Sequence, residues 1–146
     1  MSRSRRLHAC LAIACALVVG SAGAAPDSSP DQMSAQCRQR VAKLFDETWP
    51  KRTLDAAGAQ VNFEDHYSAK QKRCFFLETV SRLTHSPALK RILPRETQRL
   101  SDAVARRDYG KYDAWDDMPP LTCWLQETKC SSKEEWQQLI KPFMQD

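Results

Sequence analysis

His66 stands among groups that would serve acid–base chemistry: Glu64 and Asp65 precede it and Tyr67 follows. An imidazole titrates near neutral pH, and a neighbouring carboxylate orients it and stabilises its charged form. The reaction expected of such a group is hydrolysis, with His66 and a nearby acid exchanging a proton. The rest of the chain supplies little to accompany it. There is no G-x-S-x-G elbow, no serine in a triad context and no cysteine placed as a free nucleophile. A structural His-Tyr pair beside a strand is therefore the favoured reading, and His85 before Ser86-Pro87 reads as a loop or cap residue.

A second constellation interleaves Asp108, Asp113, Asp116 and Asp117 with Tyr109, Tyr112 and Trp115. Hard carboxylate oxygens suit calcium, but the EF-hand spacing and its turn glycine are missing. Aromatic rings beside carboxylates also suit a carbohydrate surface, although Tyr and Trp in strands more often pack. No metal and no cofactor is implied. Basic residues gather elsewhere: 70–107 hold ten Lys or Arg against three acids, and 108–146 hold four against eight. Such asymmetry can steer an acidic partner. Arg91, Arg95 and Arg99 are the basic contacts expected, with Tyr109, Tyr112 and Trp115 as aromatic ones.

The N-terminus sets the compartment. Arg3, Arg5 and Arg6 precede an apolar run from Ala9 to Val19, and Ala22-Gly23-Ala24 offers a cleavage site. This is the order of a secretory signal over 1–24. Its apolar run is shorter than the ~20 residues that span a bilayer, so no transmembrane span is expected in the mature chain. A lipoprotein signal ending at Cys15 is the lesser alternative, because Ala12 stands where Leu is preferred. Cleavage would remove three of 22 basic residues, leaving 19 against 18 acids. The basic pI then says nothing in favour of nucleic acid.

Export also explains the cysteines. Cys37, Cys74, Cys123 and Cys130 would remain after processing, and four thiols in an oxidising compartment read as two disulfides. Three connectivities are possible, and the sequence does not choose among them. The step from Cys123 to Cys130 would close a small loop, leaving Cys37 to pair with Cys74. A zinc site lacks the C-x-x-C or Cys/His spacing it needs.

These groups must be positioned by a few elements. After a polar leader over 25–33, Cys37, Val41, Leu44, Phe45 and Thr48 recur at helical period, with Ser34 as cap and Trp49-Pro50 as stop. Cys74 to Val80 is a strand rich in aromatic and β-branched residues, apolar on both faces. Ser86-Pro87 opens a short helical turn through Leu93, which Pro94 ends. Residues 96–107 fit either a helix carrying Leu100, Val104 and the alanines or, as the favoured reading, a strand from Gln98 to Val104 that returns as Tyr109 to Tyr112, with Tyr109 and Lys111 facing one way and Tyr112 the other. Leu121 to Leu125 is a final strand. Ser132 and Glu135 make a capping box ahead of the stripe Trp136, Leu139, Ile140 and Phe143, with Pro142 kinking the last turn. The expected architecture is one α+β domain over 34–146: three or four antiparallel strands flanked by an N-terminal and a C-terminal helix.

The run Phe63-Glu64-Asp65-His66-Tyr67 followed by Lys72-Arg73-Cys74-Phe75 resembles a dispersed HYN…KCF pattern of small exported bacterial proteins of unknown function. Leu100 to Ala103, Tyr109 to Tyr112, and Cys130-Ser131-Ser132 with Trp136 and Lys141-Pro142-Phe143-Met144 resemble it too. Ser68 stands where the pattern has Asn. The resemblance implies a shared fold, export and the 98–112 hairpin, and it implies no activity. The function expected is a periplasmic or secreted, non-enzymatic module that binds a protein or polymer of the cell envelope. The alternative is a small hydrolase-like enzyme using His66.

Overall fold

The computed structural model describes residues 29–50, 58–116 and 118–145; the expected signal with Cys15, the leader as far as residue 28, residues 51–57 and Asp117 lie outside them. The first helix, α1 (Pro30–Thr48), starts a turn ahead of the expected cap at Ser34. Ser29 caps it instead. Its hydroxyl accepts from the Gln32 N–H and the Gln32 side chain accepts from the Ser29 N–H, while Pro30 fills the first helical position. Residues 30–33, read as leader from their composition, are thus helical. Cys37, Val41 and Phe45 form the buried stripe that the spacing predicts.

Among the described residues six strands follow, each antiparallel to its predecessor: β1 (Gln60–Ser68), β2 (Arg73–Ser86), β3 (Arg91–Asp102), β4 (Arg107–Trp115), β5 (Thr122–Leu125) and β6 (Thr128–Lys129). The helix α2 (Lys133–Met144) ends the chain's described part and continues through Pro142. The expected sheet of three or four strands is corrected to six, with β1 and β6 added.

Three of the hairpins turn by one device. Ser68, Ser86 and Asp102 each close a strand, and Arg73, Arg91 and Arg107 each begin the next after four residues. The first side chain of each loop takes up backbone N–H groups. Ser68 accepts from Gln71 at 3.1 Å, Ser86 from Leu89 at 3.4 Å, and Asp102 from Val104 and Ala105 at 2.8 and 2.9 Å. The last loop residue is left-handed in every case: Lys72, Lys90 and Arg106 have φ of 52°, 52° and 50°. That conformation costs an L-residue about 1 kcal/mol, which the hairpin pairing offsets. It also explains the missing helical turn at 86–93. Ser86 makes the bond a helix cap makes, but Lys90 sends the chain back as β3.

Pro94 does not end an element; it lies within β3, opposite Leu83. Its carbonyl accepts from the Asp116 N–H on the β4 side, so its nitrogen, lacking a proton, faces the same way. The β3–β4 ladder stops at Arg95↔Trp115, while the β2–β3 ladder runs on to Ser86↔Arg91. β1 reaches only Ser81. Among the described residues, Arg82 to Pro94 therefore form a two-stranded arm beyond the body of the sheet.

Alternation along β2 feeds two cores. Cys74, Phe76 and Val80 pack towards α1, and Phe75 and Leu77 pack with Leu100, Trp136 and Ile140 beneath α2. The strand is covered on both faces, as its composition predicts. Trp136 is fully buried and its indole N–H donates to Gln98 at 2.6 Å. Ser132 caps α2 by accepting from Glu135 N–H, but the Glu135 carboxylate reaches back to Ser131 rather than Ser132.

The disulfides are Cys37–Cys74, tying α1 to β2, and Cys123–Cys130, tying β5 to the approach to α2. They close loops of 37 and 7 residues. Replacing Cys37 and Cys74 together by Ser should cost about 4 kcal/mol, against about 2 kcal/mol for Cys123 and Cys130, since loop-closure entropy grows with length. Urea midpoints of the two double variants check the order. At Gly110 a Cβ would lie 2.6 Å from the Trp124 carbonyl oxygen and 2.7 Å from Leu125 Cδ1. Gly110→Ala should therefore force β5 away from β4 and cost about 2 kcal/mol; an unchanged midpoint would contradict this.

Candidate functional site

His66 sits on β1 opposite Phe75, half-buried, while its neighbours Asp65 and Tyr67 point to the other face of the strand. Asp65 is 3.7 Å from Arg38 on α1, and Tyr67 packs beside the Cys37–Cys74 bridge. The acids of 108–116 lie on and beyond β4, separated from β1 by β2 and β3. The structure thus does not bring His66, Tyr67 and those acids into one concavity. Among the described residues no three His, Cys, Asp or Glu side chains converge to hold a metal.

Tyr109 and Tyr112 are both core residues, which corrects their expected division between faces. A bulge between Leu100 and Ser101 leaves Tyr109 unmatched in the register. Its ring meets Phe75 at 5.3 Å and Phe143 at 5.8 Å, while Tyr112 stacks on Trp136 at 6.2 Å. Burial pushes the Tyr112 phenol above its ordinary pKa. Neither ring is free to receive a sugar. Trp115 is committed too: its indole N–H donates to Thr84 in the arm at 3.0 Å, and the Arg95 guanidinium lies 5.0 Å over its ring.

Two of the three nominated arginines are held by buried carboxylates. Arg95 makes a bidentate pair with Asp113, at 2.7 and 2.6 Å, and Arg99 reaches Glu78 at 3.1 Å. Glu78 also accepts from the Trp49 indole at 2.8 Å. A third pair joins Arg73 to Asp102 at 2.8 Å. These cations are spent within the sheet. Arg91, in contrast, is exposed on the arm.

Burial alone would raise the pKa of Asp102 and of Asp113. At Asp102 the Ala105 and Val104 N–H groups with Arg73 outweigh it; at Asp113 the Arg95 guanidinium does, helped by Lys111 and Thr97. Both carboxyls are thereby held below their usual range. The hydrogen bonds to Asp102 and Asp113 raise Arg73 and Arg95 in turn.

Basic charge that stays exposed gathers at the opposite end of β2 from the arm. A groove of about 590 Å³ runs along α1, floored by the Cys37–Cys74 bridge and Ala103. Arg40 and Lys43 rise from α1 on one side, and Lys72 and Arg106, the left-handed residues of two turns, rise on the other. Glu47 is the acid among its lining residues, 3.5 Å from Arg106. Tyr67 and Leu44 add apolar surface. Lys72 and Arg106 fall within the basic stretch noted in the sequence, but Arg40 and Lys43 do not. Only the crossing of α1 over the two turns brings the four together. No family model, curated protein or solved structure matches the chain.

The paired acids give a pH prediction. Folding lowers the pKa of Asp102 and Asp113, so the unfolded chain binds more protons in the acid range and stability rises with pH there. Their contribution is complete above the unfolded carboxylate range, about pH 4, and disappears as pH falls through the lower folded values. The melting temperature should hold from neutral pH down to about pH 5 and then drop. Asp113→Asn should lower neutral-pH stability by about 2 kcal/mol and flatten part of the acid limb. An acid limb as steep as wild type would remove Asp113 from this account.

Proposed function

We propose that this chain is an exported binding module without catalytic activity of its own, which takes an acidic segment of an envelope protein or polymer into the groove along α1. The observation that carries the proposal is the groove's charge: four basic side chains line it against a single carboxylate. All four are exposed, so their charge reaches a partner without a desolvation cost paid in advance. The floor is rigid where it matters, because a disulfide holds α1 and β2 together beneath it. Apolar surface from Tyr67, Leu44 and Val104 would give the partner something to bury once charge has oriented it.

Export rests on the order of residues 1–24 and on the cysteines. Two disulfides are consistent with an oxidising compartment. Among the described residues no helix is long and apolar enough to cross a membrane.

The test is binding of a labelled oligo-glutamate peptide, with capture from envelope extract alongside it. Arg40→Glu with Lys72→Glu should weaken the peptide by about tenfold or more, and added salt should do the same. Circular dichroism should be unchanged, since both side chains are exposed. Equal affinity in wild type and the double variant would dismiss the groove.

A further inference from the structure

At the far end of β2, Arg82 to Pro94 extend the β2–β3 hairpin past both neighbouring strands. At ~3.3 Å per residue this arm projects roughly 15 Å. A lone two-stranded hairpin is marginal in water, so its base needs bracing. It has that bracing: Trp115 donates to Thr84, Arg95 stacks on Trp115, and Asp113 grips Arg95 by two bonds.

What the arm exposes is unusual for a protein surface. Leu83 is 72% exposed, Ile92 66% and Leu89 45%, three of the five large apolar side chains most open to water in the described chain. His85↔Ile92 and Leu83↔Pro94 are cross-strand pairs, so Leu83 and Ile92 share one face, and Leu89 lies in the turn at the tip. Basic residues back them: by the same register Arg82 and Arg91 leave the opposite face of the ribbon, and Lys90 stands in the turn at the tip. Arg82, Lys90 and Arg91 are exposed, no ion pair joins them to a carboxylate among the described residues, and the sequence from 79 to 95 contains no acid.

We propose that this arm is a membrane-docking finger for an anionic phospholipid bilayer. Leu89 and Ile92 enter the interfacial region at the tip, with Leu83 above them, and Lys90, Arg91 and Arg82 meet the headgroup phosphates. An aliphatic face backed by cations is the pattern of elements that lie in such an interface. A second copy of the chain is disfavoured as the occupant because two such arms repel. An acidic protein would satisfy the cations, but the aliphatic tip asks for an apolar phase beside the charge, which a bilayer supplies. The proposal is independent of the groove, which lies at the other end of β2.

The test is co-sedimentation of the full chain with vesicles of phosphatidylglycerol and phosphatidylcholine in equal parts, against vesicles of phosphatidylcholine alone. Wild type should bind the mixed vesicles and bind the neutral ones far less. Partitioning should fall about fivefold for each of Arg82→Glu, Lys90→Glu and Arg91→Glu, and about tenfold for Leu83→Asn with Ile92→Asn. Every variant is made in the same chain, so any contribution of the Ala9–Val19 run cancels. Leu89→Trp should shift its emission to the blue on mixed vesicles only. Failure of wild type to bind would overturn the proposal, as would binding that the arm variants leave unchanged. A concentration-dependent dimer abolished by Leu83→Asn and Ile92→Asn would also overturn it, assigning the arm to a second copy. The glutamate-peptide affinity of the groove should be unaffected by all of these variants.

Discussion

A carboxylate withdrawn from water must be paired, and that requirement organises the middle of this sheet. Glu78, Asp102 and Asp113 are each at least nine-tenths buried, and each draws an arginine from an adjacent strand. Breaking such a pair leaves an uncompensated charge in a low-dielectric setting, which is far worse than never having built it. The pairs therefore fix more than their own geometry. Arg95 held by Asp113 becomes a platform over Trp115, which in turn reaches the arm through Thr84. Arg99 held by Glu78 is linked through the same carboxylate to Trp49, at the end of α1.

The same pairing redistributes the surface charge. In the sequence, residues 70–107 look like one basic block, and nothing in composition separates the arginines paired to buried carboxylates from those that are not. The fold pairs Arg73, Arg95 and Arg99 with buried acids, although each keeps part of its side chain in water, and leaves other cations at the two ends of β2. Arg40, Lys43, Lys72 and Arg106 are exposed at one end, and Arg82, Lys90 and Arg91 at the other. A partner surface is thus decided by where acids happen to be buried, a tertiary property that net charge cannot report.

Much of the architecture was nevertheless legible. The buried stripes of both helices, the two-sided burial of β2 and the even set of cysteines follow from periodicity and arithmetic, while the 98–112 hairpin was the favoured of two readings of 96–107. β1 was legible in principle, since Val61, Phe63 and Tyr67 alternate, but Asp65 interrupts the pattern on the α1 face, where Arg38 lies near it. The helix start was misplaced because Ser-Pro-Asp-Gln has the composition of a linker, although Ser29 and Gln32 carry the capping-box spacing. Ser86-Pro87 misleads for a related reason: a serine accepting an N–H three residues on opens a helix and a four-residue hairpin loop alike. Tyr109 could not be placed, because a single bulge inverts the side on which a strand residue emerges. Of the candidate site's four basic residues, only Lys72 and Arg106 lay in the region the sequence marked.

Separation along β2 makes the two proposed surfaces physically independent. Eight residue steps of extended chain, from Cys74 in the groove floor to Arg82 at the base of the finger, put the two roughly 26 Å apart at ~3.3 Å each, about three Debye lengths at physiological salt. Charge changes at one end should therefore leave affinity at the other nearly unaltered, as expected for distant sites with no shared partner. The strand between them is buried on both faces and clamped to α1 by a disulfide at its groove end. It acts as a strut: a finger resting on a lipid surface would hold the groove at a fixed height above it. In that geometry the apolar side chains of the arm set where the molecule rests, and the groove's basic side chains set what it can gather there.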